Sequence, residues 1–321
     1  MLETKMMWRE FKALGTEIEL VASLTSEQKN ILEYAEAEIL NFERRFSRFL
    51  EGNELAKFND SKKSVLEVSA DMAELLKEIK YYYQKTGGIF DPTVIGNLEA
   101  VGYKRSFDQL DFGANSQASD RPDTIKLQDI FRKRKRIDNL KTAGRVVNKP
   151  AGLRIDLGGI GKGYIIDRLS RGYFQGVKDY WLSAGGDLIV SGNKEGKTGW
   201  DIAVQDPFSP DKDLFFINTA GKRLGIATSG IIRRSGQNGS FKWHHIIDPR
   251  SGLPLINDIL SVTVISSNAV RADVFAKTIL ILGQDEGLRF IDKESDSACI
   301  IFTKDKKNLF SRRATNFLNN I

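Results

Sequence analysis

The stretch Asp156-Leu157-Gly158-Gly159-Ile160-Gly161-Lys162-Gly163 is the densest glycine cluster in the chain. The residues after it predict a helix that runs to about Leu169, so the chain turns sharply into a helix here. Backbone N–H groups at such a helix start can hold phosphate, and Lys162 adds a positive charge. The alternative is a tight turn that needs glycine only for its backbone conformation.

The spacing of this stretch excludes two common nucleotide-binding fingerprints. An NTPase loop requires a glycine where Asp156 stands and a hydroxyl residue where Gly163 stands. The glycines at 159, 161 and 163 also miss the spacing of a dinucleotide-binding turn. The lysine still favours anion binding of another kind.

The segments around this stretch predict helices and short strands in irregular order. The predicted elements are a strand over Phe11–Leu24, a helix capped by Ser26, helices over Ser69–Lys85, Ala269–Leu282 and Asp285–Asp292, and a last strand over Ala298–Phe302. Since a doubly wound sheet would alternate strands and helices regularly, we expect an α+β fold of mixed sheets with flanking helices. Residues 1–321 form one domain or two lobes, with a junction near residues 107–123.

The composition indicates a folded, basic protein. Of 321 residues 41% are apolar, enough for a sizeable core, and the net charge of +6 suits anionic partners such as a ligand with a pyrophosphate group or nucleic acid. The basic run Arg132–Arg136 has no interleaved aromatic residues. We therefore expect it to be a solvated loop or strand edge, with no nucleic acid bound.

The chain also lacks the sequence signals of a disulfide or a membrane helix. Cys299 is the single cysteine and lies in an apolar stretch typical of a buried strand. No segment reaches the ~18 uninterrupted apolar residues that a membrane helix needs. The sequence as it stands is compatible with the cytoplasm, and equally with an extracytoplasmic, membrane-associated protein whose signal or anchor is not part of it.

Three further groups of residues could serve a functional site, and each also has a purely structural or partial interpretation. Gly185 and Gly186 lie between two strand-like runs, which is also what an ordinary hairpin requires. The only two histidines, His244 and His245, are adjacent, so in a strand they point to opposite faces and one of them serves a given site. Asp273 either stabilises a helix start or holds a hard cation.

Taken together and in this order, these groups resemble the ApbE family, the FAD:protein FMN transferases. Four segments carry the resemblance: Phe90–Thr93 (FDPT), Asp156–Gly163 (DLGGIGKG), Ala184–Asp187 (AGGD) and His244–Gly252 (HHIIDPRSG). Weaker supports are Leu14–Thr16, Ser47–Phe49 and Ala227–Gly230. They span nearly the whole chain, so chance agreement is remote.

The resemblance implies two lobes around a flavin-binding cleft, with FAD as substrate and an acceptor flavoprotein as partner. The FAD-binding residues it implies are Leu14, Gly15, Thr16, Phe49, Phe90, Asp91, Thr93, Lys162, Gly185, Gly186, Asp187, Thr228 and Ser229. It further implies Mg²⁺ held by Gly161 and Asp273, with His245 and Asp273 as catalytic residues. The FMN half of FAD would pass to a Thr or Ser hydroxyl, and AMP would leave.

One position departs from the family pattern. Threonine is usual four residues after the metal aspartate, but Lys277 stands there and Thr278 follows one residue later. Either water completes the metal site, with Thr278 as a further candidate ligand, or the ammonium replaces part of the metal's charge. Hydrolysis of FAD to FMN and AMP, and flavin binding without catalysis, are the alternative functions.

Overall fold

The computed structural model describes residues 3–103, 124–209, 211–232, 235–238, 241–244 and 246–318. Its α-helices are α1 Ile31–Phe46, α2 Glu54–Asp60, α3 Ala70–Lys85, α4 Ile95–Ala100, α5 Thr124–Lys133, α6 Gly161–Arg171, α7 Ala269–Leu282 and α8 Gln284–Ile291. Strands β1 to β9 are Lys5–Ala13, Thr16–Leu24, Val65–Glu67, Lys141–Ala143, Val146–Asn148, Tyr180–Ala184, Asp187–Ser191, Asp201–Gln205 and Asp213–Asn218. Strands β10 to β17 are Leu224–Gly230, Ser235–Asn238, Phe241–His244, Ile247–Asp248, Leu253–Pro254, Ile259–Ser266, Ala298–Thr303 and Asn308–Phe310.

The chain divides into two compact units. Unit 1 comprises residues 1–43, 160–232 and 258–321, and unit 2 comprises residues 44–159 and 233–257. The junction expected near residues 107–123 lies outside the described residues.

Unit 1 is built on an eight-stranded antiparallel sheet in the order β1-β2-β6-β7-β10-β15-β16-β17. Helix α7 packs on β10 and β15 and contacts α6 and α8. The hairpin of β8 and β9 contributes buried apolar residues, among them Ile202 and Ile217, to an apolar cluster with Leu188 and Ile300 of the sheet. Because α7 is apolar on nearly all sides, it is buried along most of its length.

Unit 2 holds helices α2 to α5 with three small sheets, β3-β5-β4, β11-β12 and β13-β14. One of its apolar clusters joins Leu98, Tyr103, Leu127 and Ile247, with Phe49 packed against it. The side chain of Asn97 fastens this cluster, because its amide nitrogen donates to the carbonyl oxygens of Leu127 at 2.9 Å and Gly252 at 2.7 Å.

The predicted α+β class and most long helices are confirmed. The prediction for α7 matches to the residue, and α3 begins after Ser69, whose hydroxyl accepts from the Met72 N–H at 3.1 Å. The single strand over Phe11–Leu24 is wrong, because Leu14 and Gly15 both adopt positive φ (58° and 65°) and turn the chain into a hairpin.

Further differences arise where local signals were weak. Ser26 does not cap α1, because a short 3₁₀ helix capped by Thr25 precedes it. The sheet also continues to β17 after the expected last strand. Helices α2, α4 and α5 were not predicted, because each is too short for a clear periodic pattern.

The basic run departs from the expected loop or strand edge. Arg132 and Lys133 close α5, and the Arg134 guanidinium bonds the Asp91 carboxylate at 2.9 Å. Cys299 is buried in β16 as expected, and burial raises the pKa of its thiol to about 12. Among the described residues, helices long and apolar enough to span a bilayer are absent.

Candidate functional site

Two tight turns lie side by side at one end of the unit 1 sheet. Strand β2 pairs with β6 so that Ile18 faces Ala184, which brings the turn at Leu14–Gly15 beside the turn at Gly185–Gly186. The Gly185 N–H donates to the Glu17 carbonyl at 2.9 Å. Gly185 has φ of 63°, and a Cβ there would overlap the Thr16 side chain. Only glycine therefore allows this close approach.

Lys162 meets Asp187 at the same end of the sheet. Asp187 opens β7 directly after the glycine turn, and its carboxylate, 2% exposed, forms an ion pair with the Lys162 ammonium in the first turn of α6. The first backbone N–H groups of a helix lack partners within it and carry partial positive charge. The start of α6 thus combines a helix N-terminus with a lysine held by a buried acid.

Helix α6 runs unusually close to α7. A Cβ on Gly163 would lie 2.7 Å from the Ala269 carbonyl oxygen and 2.9 Å from the Val270 Cα. The Gly163 N–H is 3.4 Å from Asp273 Oδ2, which joins the start of α6 to the second turn of α7. Glycine at 163 therefore serves helix packing here, in addition to any role in binding.

Asp167 holds the two helices together and was missed by sequence reasoning. Its carboxylate accepts from the Val270 N–H at 2.8 Å, in the first turn of α7. The other carboxylate oxygen lies 3.7 Å from the Arg223 guanidinium. Burial raises the pKa of this carboxyl above its ordinary 3.8. An acid within the apolar run of α6 was the available signal.

Asp167→Asn is expected to make stability less dependent on pH. The raised pKa means that the native state binds more protons than the unfolded state above pH 3.8, so stability falls as pH rises through the folded pKa. Asparagine keeps the acceptor for Val270 but removes the charge. Urea unfolding from pH 4 to 7 should show the variant gaining on wild type as pH rises. Asp167→Ala, which lacks the acceptor, should lose about 1–3 kcal/mol. A gain for the asparagine variant towards low pH would contradict this assignment.

Asp273 is paired with Lys277 on α7. The carboxylate is 1% exposed, and its Oδ1 forms an ion pair with the Lys277 ammonium one turn later, while the lysine side chain is 16% exposed. Thr278 is fully buried, and its hydroxyl donates to the Val274 carbonyl at 2.8 Å. The hydroxyl thus bonds its own helix. The rotation of roughly 100° between neighbouring residues also turns Thr278 away from the position that Lys277 occupies.

The side chains at Asp273, Lys277 and Thr278 do not form the divalent-cation site that the family pattern implies. A metal at Asp273 must displace or repel the tethered Lys277 ammonium, and the Thr278 hydroxyl is engaged elsewhere. Within the described part of the chain, groups of three His, Cys, Asp or Glu side chains suited to a metal are also absent. The described residues therefore do not supply the ligand set that the expected magnesium ion needs.

Thr228 and Ser229 follow on β10 at the same end of the sheet. The pairing of β10 with β7 ends at Ile226 and Leu188, so both hydroxyl residues lie beyond it, next to the start of β7. Ser229 is buried, whereas Thr228 is exposed and its hydroxyl lies 2.9 Å from that of Thr263. The described unit 1 residues predicted to bind FAD therefore share one end of one sheet.

In unit 2, Arg48 contacts Phe49, a predicted FAD-binding residue, and was itself not among the residues predicted from the sequence. Its guanidinium bonds the Asp156 carboxylate at 3.0 Å and the Tyr103 carbonyl at 2.8 Å, and lies 4.4 and 4.6 Å from the ring centroids of Phe49 and Tyr103. Arg48 therefore fixes the orientation of Phe49 and the start of the glycine-rich stretch. The aromatic context RFSRF around it was the available signal.

Asp91 and Thr93 are satisfied within unit 2. Asp91 Oδ1 accepts from the Thr93 N–H at 2.8 Å and the Thr93 hydroxyl at 2.5 Å, and Oδ2 accepts from Arg134. Phe90 is buried beside them. These contacts stabilise the conformation of the loop. The prediction that Phe90, Asp91 and Thr93 contact FAD stays a prediction.

The histidine pair is described in part. Strand β12 ends at His244, which pairs with Ser235 of β11. His245, the predicted proton acceptor, lies outside the described residues, and so its role stays a prediction.

The comparisons with known proteins agree on one family. Residues 14–301 match the ApbE family. A protein of Haemophilus influenzae named FAD:protein FMN transferase is 25% identical over 313 residues, covering 94% of this chain and 88% of that protein. The crystal structure of the ApbE protein from Thermotoga maritima has a TM-score of 0.85 at 25% identity, covering 98% of this chain and all of that one. The flavin transferase ApbE from Vibrio cholerae has the same fold, with a TM-score of 0.80 at 24% identity over 98% of this chain and 100% of that one. Because the family match extends over most of its length, the chain belongs to the ApbE family.

Proposed function

We propose that this chain transfers the FMN part of FAD to a Thr or Ser hydroxyl of an acceptor flavoprotein and releases AMP. The relatives that are named FAD:protein FMN transferase support this proposal. The observation that carries the proposal is the arrangement at the start of α6. There Lys162 forms an ion pair with Asp187, and the Gly163 N–H points to Asp273. A helix N-terminus with a fixed lysine suits a pyrophosphate.

The reaction replaces the phosphoanhydride bond of FAD with a phosphoester bond to the acceptor. The acceptor hydroxyl oxygen attacks the FMN phosphorus, the bond from that phosphorus to the bridging oxygen breaks, and AMP leaves with the bridging oxygen. His245 takes the hydroxyl proton. In phosphoryl transfer the protein mainly aligns the oxygens and offsets negative charge, and Lys162 and the N-terminus of α6 supply that charge here.

The remaining predicted residues have supporting roles in this proposal. The turns at Leu14–Thr16 and Gly185–Gly186 offer backbone groups beside the pyrophosphate, and Thr228 and Ser229 offer hydroxyls. Phe49, oriented by Arg48, offers a ring face suited to a flavin. The family resemblance assigns these contacts, and the shared sheet end of the unit 1 residues supports them.

The test is transfer of FMN to protein. The purified chain, FAD and a candidate flavoprotein acceptor are incubated, and intact-mass spectrometry should find the acceptor heavier by one FMN. One AMP should appear for each FMN attached, and an acceptor with its target Thr or Ser replaced by Ala should gain nothing.

The same assay separates the competing functions. Release of AMP and free FMN at the same rate without acceptor would mean hydrolysis of FAD. Tight FAD binding without AMP under any condition, across acceptors that related enzymes modify, would mean a flavin carrier. Either result would contradict the proposed transfer.

A further inference from the structure

We infer that the Lys277 ammonium takes the place of a divalent cation beside Asp273, so that this chain binds FAD equally well with and without magnesium. The inference rests on the proposed function insofar as FAD is the ligand. It names Lys277 as a further binding residue for the pyrophosphate.

The burial of the Asp273–Lys277 pair separates it from an ordinary surface ion pair. The chain contains a matched example, Asp129 and Lys133, with the same spacing and order on α5. There the side chains are 49% and 75% exposed, whereas Asp273 and Lys277 are 1% and 16% exposed. Exposed pairs of this kind contribute little to stability, but a buried carboxylate needs a positive partner. Asp273 has that partner within its own helix.

The position of the pair points to the phosphate site. Asp273 Oδ2 lies 3.4 Å from the Gly163 N–H, next in sequence to Lys162. The start of α6 therefore has one lysine–aspartate pair at Lys162 and a second beside Gly163. Lys277 is partly exposed, so its ammonium can bond a ligand oxygen while it remains paired with Asp273.

A tethered ammonium and a divalent cation exclude each other at this carboxylate. The Lys277 ammonium occupies Asp273 Oδ1, and Oδ2 faces the Gly163 N–H. A cation at this carboxylate would lie within a few ångströms of the ammonium, and two positive centres at that distance repel strongly in a partly buried place. The neighbouring hydroxyl of Thr278 cannot complete a metal site in this arrangement, because it donates to the Val274 carbonyl. Replacing Lys277 with threonine would remove the ammonium and put a hydroxyl one turn from Asp273.

Calorimetric titration of FAD into the full chain tests this, in buffer with EDTA and in buffer with MgCl₂. The wild-type Kd should agree within about twofold between the two buffers, because the charge at Asp273 is already offset. Lys277→Met should weaken FAD binding about tenfold or more in both, through loss of one charge-assisted hydrogen bond. Lys277→Thr should be weak in EDTA and recover with MgCl₂. Lys133→Met, the matched control, should bind FAD as wild type does.

A second readout uses the metal alone. Mn²⁺ titrated without FAD and followed by electron paramagnetic resonance should show no specific site in wild type and one site in Lys277→Thr. A wild-type Kd for FAD that tightens about tenfold or more with MgCl₂ would overturn the inference, and so would Lys277→Met binding FAD like wild type. The wild-type comparison needs no variant, so it decides the question even if a substitution impairs folding.

The inference and the proposed function can fail separately. Magnesium-dependent FAD binding together with FMN transfer would remove the inference and leave the transferase. Equal FAD binding in both buffers without transfer to any acceptor would do the reverse. FAD that binds in neither buffer would contradict both.

Discussion

His245→Ala is expected to lower the rate of FMN transfer by roughly 10²–10⁴-fold, the usual contribution of a positioned general base. FAD binding should change little, because the proposed role is proton removal from the acceptor hydroxyl in the chemical step. Single-turnover transfer measured by mass spectrometry, with calorimetry for FAD, gives both quantities. His244→Ala is the matched control, since adjacent residues of a strand point to opposite faces.

Two results would remove His245 from the mechanism. One is transfer at the wild-type rate in His245→Ala. The other is a loss of transfer explained wholly by weaker FAD binding, which would make the histidine a binding residue. A loss in His244→Ala equal to that in His245→Ala would show that the end of β12 is disturbed as a whole.

Lys162→Met is expected to weaken FAD binding by about 100-fold, or about 2.7 kcal/mol, through loss of a charge-assisted hydrogen bond to phosphate. It should also lower the free energy of unfolding by about 3–5 kcal/mol, because one partner of a buried ion pair is removed. The substitution removes a phosphate donor and leaves the Asp187 carboxylate, 2% exposed, without its lysine. That carboxylate would then repel the pyrophosphate directly. The measurement is FAD affinity by calorimetry beside the free energy of unfolding in urea.

The double variant Lys162→Met/Asp187→Asn separates charge repulsion from the loss of the donor. It should recover stability lost in Lys162→Met, because no buried charge is left unpaired, but only part of the FAD affinity. Full recovery of affinity would mean that Lys162 only neutralises Asp187. Unchanged affinity in Lys162→Met would contradict the phosphate site at the start of α6.

The elements predicted well are those whose information is local. Helix α7 shows this, because an apolar run from Ala269 begins after the cap Asn268 and ends at Gly283, which has φ of 88°. Helix α3 follows the same logic from its cap at Ser69. The hairpin at Gly185–Gly186 could also be predicted, because two adjacent glycines between strand-like runs are a local turn signal, and both adopt positive φ in the structure. The turn at Leu14 could not be predicted, because a non-glycine residue with φ of 58° has no reliable local sequence signal.

By itself the sequence determined the α+β class, the chief helices, the family resemblance and the residue types of a phosphate site, because periodicity, caps and motifs are written in consecutive residues. Only the tertiary structure decided which of them meet. The pairing of β2 with β6 and of β7 with β10 brings three distant segments to one sheet end, and Gly163 lets α6 approach α7. The pairing of Lys277 with Asp273, the inward turn of Thr278 and the clamp of Arg48 on Phe49 likewise depend on burial and side-chain direction, which spacing along the chain does not specify.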